Sequence, residues 1–300
     1  MDNSVRRGTW EMVFAMLISG TIGWFVLASQ VPLVEVVFCR CVIGGVTLAA
    51  VCKTMGYLSI RLLTLRTLGL AVLSGVAIVG NWLLLFGSYS KASIAIGTAV
   101  YNVQPFILVV LAAVFLGEKV TLKKLAWLSV AFLGMLAIAS AHGDQQTSGS
   151  DYLVGVALAA AAAFLYAVAA LLIKRLQGVP PHLIALIQVI TGAALLAPTV
   201  NWQSVPSAPV SWAALGILGV VHTGLMYILL YGAIQKLPTT LTGALSFIYP
   251  VAAILVDWIA FGHRLGTMQW IGVSAILIAA AGMQRGWGLR SVIRVKAESI

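Results

Sequence analysis

The sequence predicts an all-α membrane protein of ten transmembrane helices, arranged as two inverted repeats of five helices. Of its 300 residues, 61% are hydrophobic and only 9% are charged, whereas a soluble domain carries about 25% charged residues. Ten apolar stretches approach the length of about 20 residues that crosses a hydrocarbon core of about 30 Å. A shift of 145 residues carries Gly87 onto Gly232 and Pro105 onto Pro250, which indicates an internal repeat.

The ten apolar stretches are interpreted as helices because backbone groups inside lipid must be satisfied within their own segment. The alternating pattern of barrel strands does not occur in them. The first stretch exceeds the roughly 7–15 apolar residues of a secretory signal, so a permanent helix is favoured over a cleaved signal. The predicted spans are 10–29, 33–52, 67–89, 94–116, 122–141, 152–174, 181–200, 211–234, 239–261 and 268–284.

Lys and Arg are distributed unevenly between the connections. With the amino terminus in the cytoplasm, the outer loops hold only Lys91 and Arg264, and Arg40 lies inside a helix. This bias predicts that both termini are cytoplasmic. The net charge of +10 is therefore attributed to insertion and anionic lipids, not to a nucleic-acid-binding face. The 15 cytoplasmic basic residues are Arg6, Arg7, Lys53, Arg61, Arg66, Lys119, Lys123, Lys124, Lys174, Arg175, Lys236, Arg285, Arg290, Arg294 and Lys296.

The internal repeat divides the chain into two halves. The first half covers residues 1–141, an outer linker covers 142–151, the second half covers 152–284, and a basic cytoplasmic tail covers 285–300. Because five helices are an odd number, the second half is predicted to be inverted in the membrane, as in many transporters. The further matches are Lys91 with Lys236, Ala99 with Ala244, Gly117 with Gly262, and a shared spacing of eight from Pro32 to Arg40 and from Pro180 to Gln188.

Pro105 and Pro250 lie near the middle of the fourth helix of each half. A proline there removes one hydrogen bond and displaces the carbonyl four residues earlier, which belongs to Tyr101 or Ser246. We expect both helices to kink at this depth, and paired interruptions favour a central transport site. The alternative is the ordinary tolerance of proline in membrane helices.

Polar and aromatic side chains cluster at the same depth on helices 3, 4, 8 and 9. Polar groups there usually face the bundle interior or a wet cavity, although hydrogen bonds between helices are an alternative. Rings with a few amides suit a neutral or zwitterionic solute, and no group of basic residues is placed to hold a phosphate. The predicted substrate-binding residues are Asn81, Trp82, Tyr101, Gln104, His222, Tyr227 and Tyr249.

Two charged residues lie inside the predicted helices, or nearly so, and away from the residues at the helix ends. Arg40 is about two turns from the outer end of helix 2, and Asp257 is in the outer third of helix 9. A charge at the centre of a helix costs about 2.5–3.5 kcal/mol on insertion scales, and pairing reduces that cost. We hypothesise that Arg40 and Asp257 form an ion pair or an outer gate. The alternative is that each side chain reaches the interface separately.

Signals for catalysis, metal binding or cofactors are weak. The four histidines are scattered, and the sequence contains no HExxH, Gly-x-Ser-x-Gly, Cys-x-x-Cys or Walker motif. Cys39, Cys41 and Cys52 all fall in helix 2, so no disulfide framework follows. We therefore expect no enzyme and no cofactor. A membrane enzyme using His222 or Asp257, and a structural subunit, are the rival classes.

The halves, with Gln104-Pro105 and Tyr249-Pro250 and with Leu116-Gly117-Glu118-Lys119, resemble EamA-type members of the drug/metabolite transporter superfamily. The second half departs from that pattern, with Gly262-His263 in place of Gly-Glu. The aromatic cluster is most similar to that of bacterial aromatic amino-acid exporters. The resemblance implies export of amino acids or related metabolites across the inner membrane; an exporter of drugs or of nucleosides and purines is the alternative within the superfamily.

The predicted protein is thus a secondary transporter with a solute site between helices 3, 4, 8 and 9. Its expected partners are a small solute and membrane lipids. No nucleic acid and no obligatory protein partner is expected.

The Arg40–Asp257 hypothesis predicts the outcome of charge reversal. Either R40D or D257R alone should abolish transport because two like charges would then face each other at low dielectric. The double variant should restore solute flux in proteoliposomes. If the double variant stays as inactive as the single ones, the two side chains do not pair.

Overall fold

The computed structural model describes residues 3–58, 63–92, 97, 100–140, 150–204, 206, 208–252, 255 and 266–287, and within these ranges the regular structure is helical, without strands. Asp257, Ala99, Gly262, most of the 142–151 linker and the tail beyond 287 lie outside them. The helices of the first half are α1 (Asn3–Gly20), α2 (Ile22–Ser29), α3 (Leu33–Thr54), α4 (Leu65–Ala92), α5 (Gln104–Leu116) and α6 (Leu122–Ser140).

The second half is also helical wherever it is described. Two short 3₁₀ turns, Ala197–Thr199 and Trp202–Ser204, follow α8, and a π-helical turn, Val220–Leu225, joins α9 to α10. The helices are α7 (Ser150–Arg175), α8 (Pro181–Leu196), α9 (Pro209–Gly219), α10 (Met226–Lys236), α11 (Thr239–Ser246) and α12 (Thr267–Arg285).

Among the residues that the structure describes, six helical runs are long and apolar enough to cross a membrane by length and composition. Large apolar side chains such as Val46, Leu65 and Val210 are exposed on their outer faces, as lipid contact requires. These features fit a membrane protein, whereas the count of ten helices and their inversion stay predictions. The six runs are Asn3–Val26, Leu33–Thr54, Leu65–Ser88, Tyr152–Arg175, Pro181–Thr199 and Pro209–Lys236.

Prolines and a glycine set several helix boundaries. Pro32, Pro180 and Pro238 occupy the N-cap positions of α3, α8 and α11, where a missing backbone N–H costs no helical hydrogen bond. Gly117 ends α5 in the left-handed conformation, with φ of 66°, and its N–H donates to the carbonyl of Ala112. The predicted starts at 33 and 181 therefore agree with the structure.

The amino-terminal boundary differs from the predicted start at residue 10. Helix α1 begins at Asn3, and Arg7 and Glu11 form an ion pair of 2.9 Å one turn apart within it. Residues 3–9 are too polar for hydrocarbon, yet nothing in them breaks a helix. The apolar stretch therefore marks the part of the helix that lies in hydrocarbon, and the helix itself extends beyond that stretch.

Within the described ranges, four of the predicted helices contain an interruption. The first run breaks at Thr21, between α1 and α2, and the eighth predicted helix contains the π turn. Asn102 and Val103 interrupt the helix just before Pro105, which then lies in the first turn of α5. Phe247 interrupts the ninth predicted helix three residues before Pro250. The two proline-associated breaks therefore occupy matching places in the two halves.

The helices of one half pack mainly on those of the other. Helix α4 packs on α7, while α1 and α2 pack on α10 and α9. Helices α3, α5 and α6 pack on α8, α11 and α12, their counterparts in the other half. If each helix is replaced by its counterpart in the other half, every one of these pairs becomes itself or another pair of the set. This packing supports the predicted repeat.

Small residues let α3 approach its neighbours closely. A Cβ atom added to Gly44 would lie 2.6 Å from Thr223 Cγ2, and one added to Gly219 would lie 2.5 Å from Ile43 Cβ. On the other side of α3, a Cβ at Gly192 would lie 2.8 Å from Cys41 Sγ. Helix α3 is therefore held tightly between α8 and the junction of α9 with the π turn.

Ion pairs join the two halves at one end of the bundle. Lys236 Nζ lies 2.6 Å from Glu11 Oε2, and Lys174 Nζ lies 2.9 Å from Glu118 Oε1. The other carboxylate oxygen of Glu118 accepts hydrogen bonds from the backbone N–H of Thr239 (3.1 Å) and from its hydroxyl (2.5 Å). All these residues belong to segments predicted to be cytoplasmic or adjacent to that side.

The opposite end brings together segments predicted to lie outside. Glu35, near the start of α3, accepts a hydrogen bond of 3.0 Å from the backbone N–H of Asn201. The ring of Phe38 meets Trp202 edge-on, with 5.6 Å between centroids. The structure therefore groups the ends of the helices as the charge distribution predicts, while the side on which each end lies stays a prediction.

Glu118 couples stability to pH. Burial raises the pKa of this carboxyl, but the hydrogen bonds from Thr239 and the Lys174 ammonium outweigh burial and hold the pKa below its ordinary value. A carboxyl with a lowered folded-state pKa adds stability above its unfolded pKa, and this stability is lost as the pH falls through the folded pKa.

We expect E118Q to unfold about 2–4 °C below the wild type in detergent at pH 7, the shift that about 1 kcal/mol produces in a protein of comparable size. The difference should shrink below the ordinary glutamate pKa of about 4.3, because the wild type then loses the same charge. The matched control is K119Q, at the exposed neighbouring residue. A difference independent of pH would contradict this role of the Glu118 charge.

Candidate functional site

A connected series of buried polar and aromatic side chains crosses the middle of the bundle. Arg40 Cζ lies 5.1 Å from the centroid of the Trp82 ring, which lies 6.0 Å from the ring of Tyr227. The rings of Tyr227 and Tyr231 are 5.1 Å apart, and the Tyr231 hydroxyl donates to Gln188 Oε1. We call these five residues the central chain. All five are buried.

The central chain draws on helices from both halves. Arg40 on α3 and Trp82 on α4 come from the first half, while Gln188 on α8 and the tyrosines on α10 come from the second. Arg40 and Gln188 each lie seven residues after the start of their helix, about 10 Å along its axis. Because α3 and α8 are predicted to start on opposite sides, Arg40 lies on the predicted outer side and Gln188 on the inner side.

Arg40 is 2% exposed. Its Nε donates a hydrogen bond of 3.2 Å to the hydroxyl of Thr223, on the π turn, and Thr223 donates in turn to the carbonyl of Leu218 (2.8 Å). Among the residues that the structure describes, no carboxylate lies within 4.0 Å of the guanidinium. The face of Trp82 offsets part of the cost of burying this charge. The predicted pairing with Asp257 stays a prediction, since Asp257 is outside the described ranges.

Gln188 occupies the corresponding place in the second half without a charge. Its Nε2 donates to the hydroxyl of Ser74 on α4 (2.7 Å), and its Oε1 accepts from Tyr231. Arg40 likewise bonds to a hydroxyl on the helix corresponding to α4, at Thr223. The two ends of the central chain are therefore similar in geometry and different in charge.

His222 joins two of the helix interruptions. Its Nε2 lies 2.6 Å from the hydroxyl of Thr21, at the break between α1 and α2, and its Nδ1 lies 3.3 Å from the carbonyl of Ile217. The ring of Phe25 is 5.2 Å away. The structure thus places this predicted site residue at the junction of the first helix with the π turn, where it fixes their relative position.

The remaining predicted site residues divide by their contacts. Asn81 donates a hydrogen bond of 2.8 Å to the backbone carbonyl of Ala162 on α7, a contact typical of helix packing. Gln104 on α5 donates to the Ser246 hydroxyl on α11 at 3.4 Å, between the two proline-associated breaks. These two amides link α4 to α7 and α5 to α11.

Two predicted tyrosines lie beside the central chain. Tyr101 meets Tyr166 of α7 at a ring distance of 6.0 Å. Tyr249 is half-buried and packs against the apolar cluster that also contains Trp82 and Tyr227. Of the seven predicted residues, the structure thus brings Trp82 and Tyr227 into direct ring contact, while the others contact residues outside the predicted set.

Sequence reasoning assigned no site role to Gln188, Tyr231 or Thr223. The shared spacing of eight from a proline pointed to Gln188 through its match with Arg40. Tyr231 follows Tyr227 by four residues, which places both rings on one face of a helix. Thr223 carried no signal of its own, because its role depends on the π turn, and π turns inside helices are frequent at functional sites.

Other chemistry has little support in the described ranges. They contain no group of three or more His, Cys, Asp or Glu side chains placed to hold a metal ion, and Cys39, Cys41 and Cys52 are free thiols. A cleft of about 460 Å³ lies elsewhere, between Arg66 and Arg175 at the predicted cytoplasmic end. The central chain remains the candidate site because it connects both halves.

Known proteins resemble this chain over most of its length. The "Uncharacterized transporter YxxF" of Bacillus subtilis is 27% identical over 275 residues, which are 90% of this chain and 87% of that protein. Protein RarD of Escherichia coli is 24% identical over 92% of this chain and 93% of its own length. A protein of Streptantibioticus cattleyicolor, named a "Probable terminal-alkyne amino-acid exporter", is 25% identical over 88% of this chain and 86% of its own length.

A solved crystal structure shares the fold. It superposes with a TM-score of 0.81 over 92% of this chain and 98% of that chain, at 21% sequence identity. The model of the EamA-like transporter family matches residues 6–140 and again residues 153–284. Together, the two matched segments cover most of the 300 residues. The chain therefore belongs to the EamA-like transporter family.

Proposed function

We propose that this protein is a secondary transporter that exports amino acids or related small metabolites across the bacterial plasma membrane. The observation that carries the proposal is the central chain, a buried series of rings and polar groups contributed by both halves. A relative named as an amino-acid exporter supports the class of solute, and the aromatic side chains favour aromatic amino acids within it. Export follows the name of that relative and the resemblance noted above.

The transport cycle requires that the site open to each side in turn. Two observations support inverted repeats as the basis of this change: the family model matches the chain twice, and the packing pairs correspond when the halves are exchanged. Rocking of one repeat against the other would then expose the central chain alternately. The breaks near Thr21, Asn102, the π turn and Phe247 supply points where helix segments can reorient.

The ion pairs Glu11–Lys236 and Glu118–Lys174 close the predicted cytoplasmic end in this conformation. Each joins the first half to the second. We propose that they separate when the site opens towards the cytoplasm. Their partial exposure keeps the cost of separation low, because water then solvates the charges.

A flux assay tests the proposed function. Proteoliposomes loaded with labelled aromatic, aliphatic and charged amino acids, and with a nucleoside and a cationic drug as the alternative solutes, should release amino acids without chemical change. Efflux with and without a proton gradient identifies coupling. Release of the drug or the nucleoside alone would favour the alternative, and no release of any solute would contradict transport.

W82A and Y249A should each reduce amino-acid efflux by about fivefold or more, because each removes a ring worth about 1 kcal/mol or more of contact. The matched control is W10A, since Trp10 is exposed on the outer face of α1. Protein amount and unfolding temperature are measured for all variants. Wild-type flux in both W82A and Y249A would refute the assignment of the site.

A cross-link tests whether the Glu11–Lys236 contact must open. In a variant with C39A, C41A and C52A, E11C and K236C are joined by a short bifunctional maleimide. We expect bridged protein to lose flux, because α1 and α10 can no longer separate at that end. Modification with N-ethylmaleimide, which does not bridge, is the control, and full flux after complete bridging would show that this end need not open.

A further inference from the structure

The guanidinium of Arg40 has donors that the described protein does not use. Among the described residues, the bond from Nε to Thr223 is the one hydrogen bond that it donates. We propose that the terminal amino groups of Arg40 bind the carboxylate of the transported solute, so that the protein selects small carboxylates such as amino acids. This inference rests on the proposed transport function and names the group that recognises the solute.

The surroundings of Arg40 fix the orientation of its guanidinium. Thr223 holds Nε, and the ring of Trp82 lies 5.1 Å from Cζ. Nη1 and Nη2 then form the fork of the group that the described residues leave unbonded, and this fork matches the two oxygens of a carboxylate. Gly44 allows the π turn with Thr223 to approach α3, since a Cβ at this position would lie 2.6 Å from Thr223 Cγ2. The hydrogen bond therefore depends on a close approach of the Thr223 side chain that Gly44 permits.

The number of buried charges favours a carboxylate over a phosphate. Arg40 is the one buried cation among the described residues, and the buried acid Glu35 interacts with Asn201 at the outer end of the bundle. One guanidinium balances a monoanion, whereas a phosphate dianion calls for further cations. Gln188, in the corresponding place of the second half, already uses its amide on Ser74 and Tyr231. Only the predicted outer end of the central chain therefore offers a site for an anion.

The rest of the central chain suits the other parts of an amino acid. The faces of Trp82 and Tyr227 can contact an apolar or aromatic side chain, and aromatic faces attract an ammonium group. A zwitterion bound in this way has its carboxylate towards the predicted outer side. The competing partner for Nη1 and Nη2 is Asp257, and the experiment must separate that partner from the solute.

The experiment compares each amino acid with its amide, which lacks the negative charge. Binding of labelled L-phenylalanine and L-leucine to the purified full chain in detergent is measured in competition with the unlabelled acid or its amide. The wild type should bind the acid about 10- to 100-fold more tightly than the amide, the range expected for a hydrogen bond to a charged group. R40Q should lose that preference by weakening binding of the acid while leaving binding of the amide unchanged, and R40K should retain part of it.

R175Q is the matched control, because Arg175 also stacks on a ring, that of Phe115, but lies exposed at the end of α7; it should keep the wild-type preference. D257N should keep it as well if the solute is the partner of Arg40. An unchanged preference in folded R40Q would overturn the inference. Equal binding of acid and amide by the wild type would overturn it even if R40Q failed to fold. A wild type that neither binds nor transports any amino acid would instead overturn the proposed function.

Discussion

Every polar group inside this bundle must find its partner in the protein, because hydrocarbon offers none. This constraint explains why Asn81 bonds to a backbone carbonyl and why Gln188 bonds to Ser74 and Tyr231. Arg40 meets the constraint only in part, with one hydrogen bond and one ring among the described residues. The candidate site lies where the described side chains leave hydrogen-bond donors of Arg40 unused.

The same constraint explains what the sequence could predict. Apolar stretches of membrane length and prolines at helix starts are local signals, so the helical class and the starts of α3 and α8 follow from residues close in sequence. The matching prolines, Pro105 and Pro250, indicated in advance where two helices are interrupted. Trp82 and Tyr227 were predicted as site residues because polar and aromatic groups are rare enough at this depth to be conspicuous.

Other features depend on contacts between distant segments. The first helix contains no proline at its break. Gly20 and Gly23 flank Thr21 and weaken the helix there without requiring it to end. The break faces His222, some 200 residues away in sequence. The hydrogen-bond pattern of the π turn changes which side chains face α3. The contact between Thr223 and Arg40 could therefore not be inferred from sequence spacing alone. Asn81 was expected at a cavity wall, yet a helix-packing bond uses its amide. In each of these cases the role of the residue depends on which distant residue it contacts.

The position of Arg40 also bears on the electrical behaviour of the protein. Its place on α3, about 10 Å from the start of the helix, is roughly one third of the way through a hydrocarbon core of about 30 Å. A unit charge that crosses the full membrane field gains about 2.3 kcal/mol per 100 mV. When access switches from one side to the other, the portion of the field that this cation experiences changes even if the side chain stays still. The resting voltage of the cell would then bias which way the empty carrier faces.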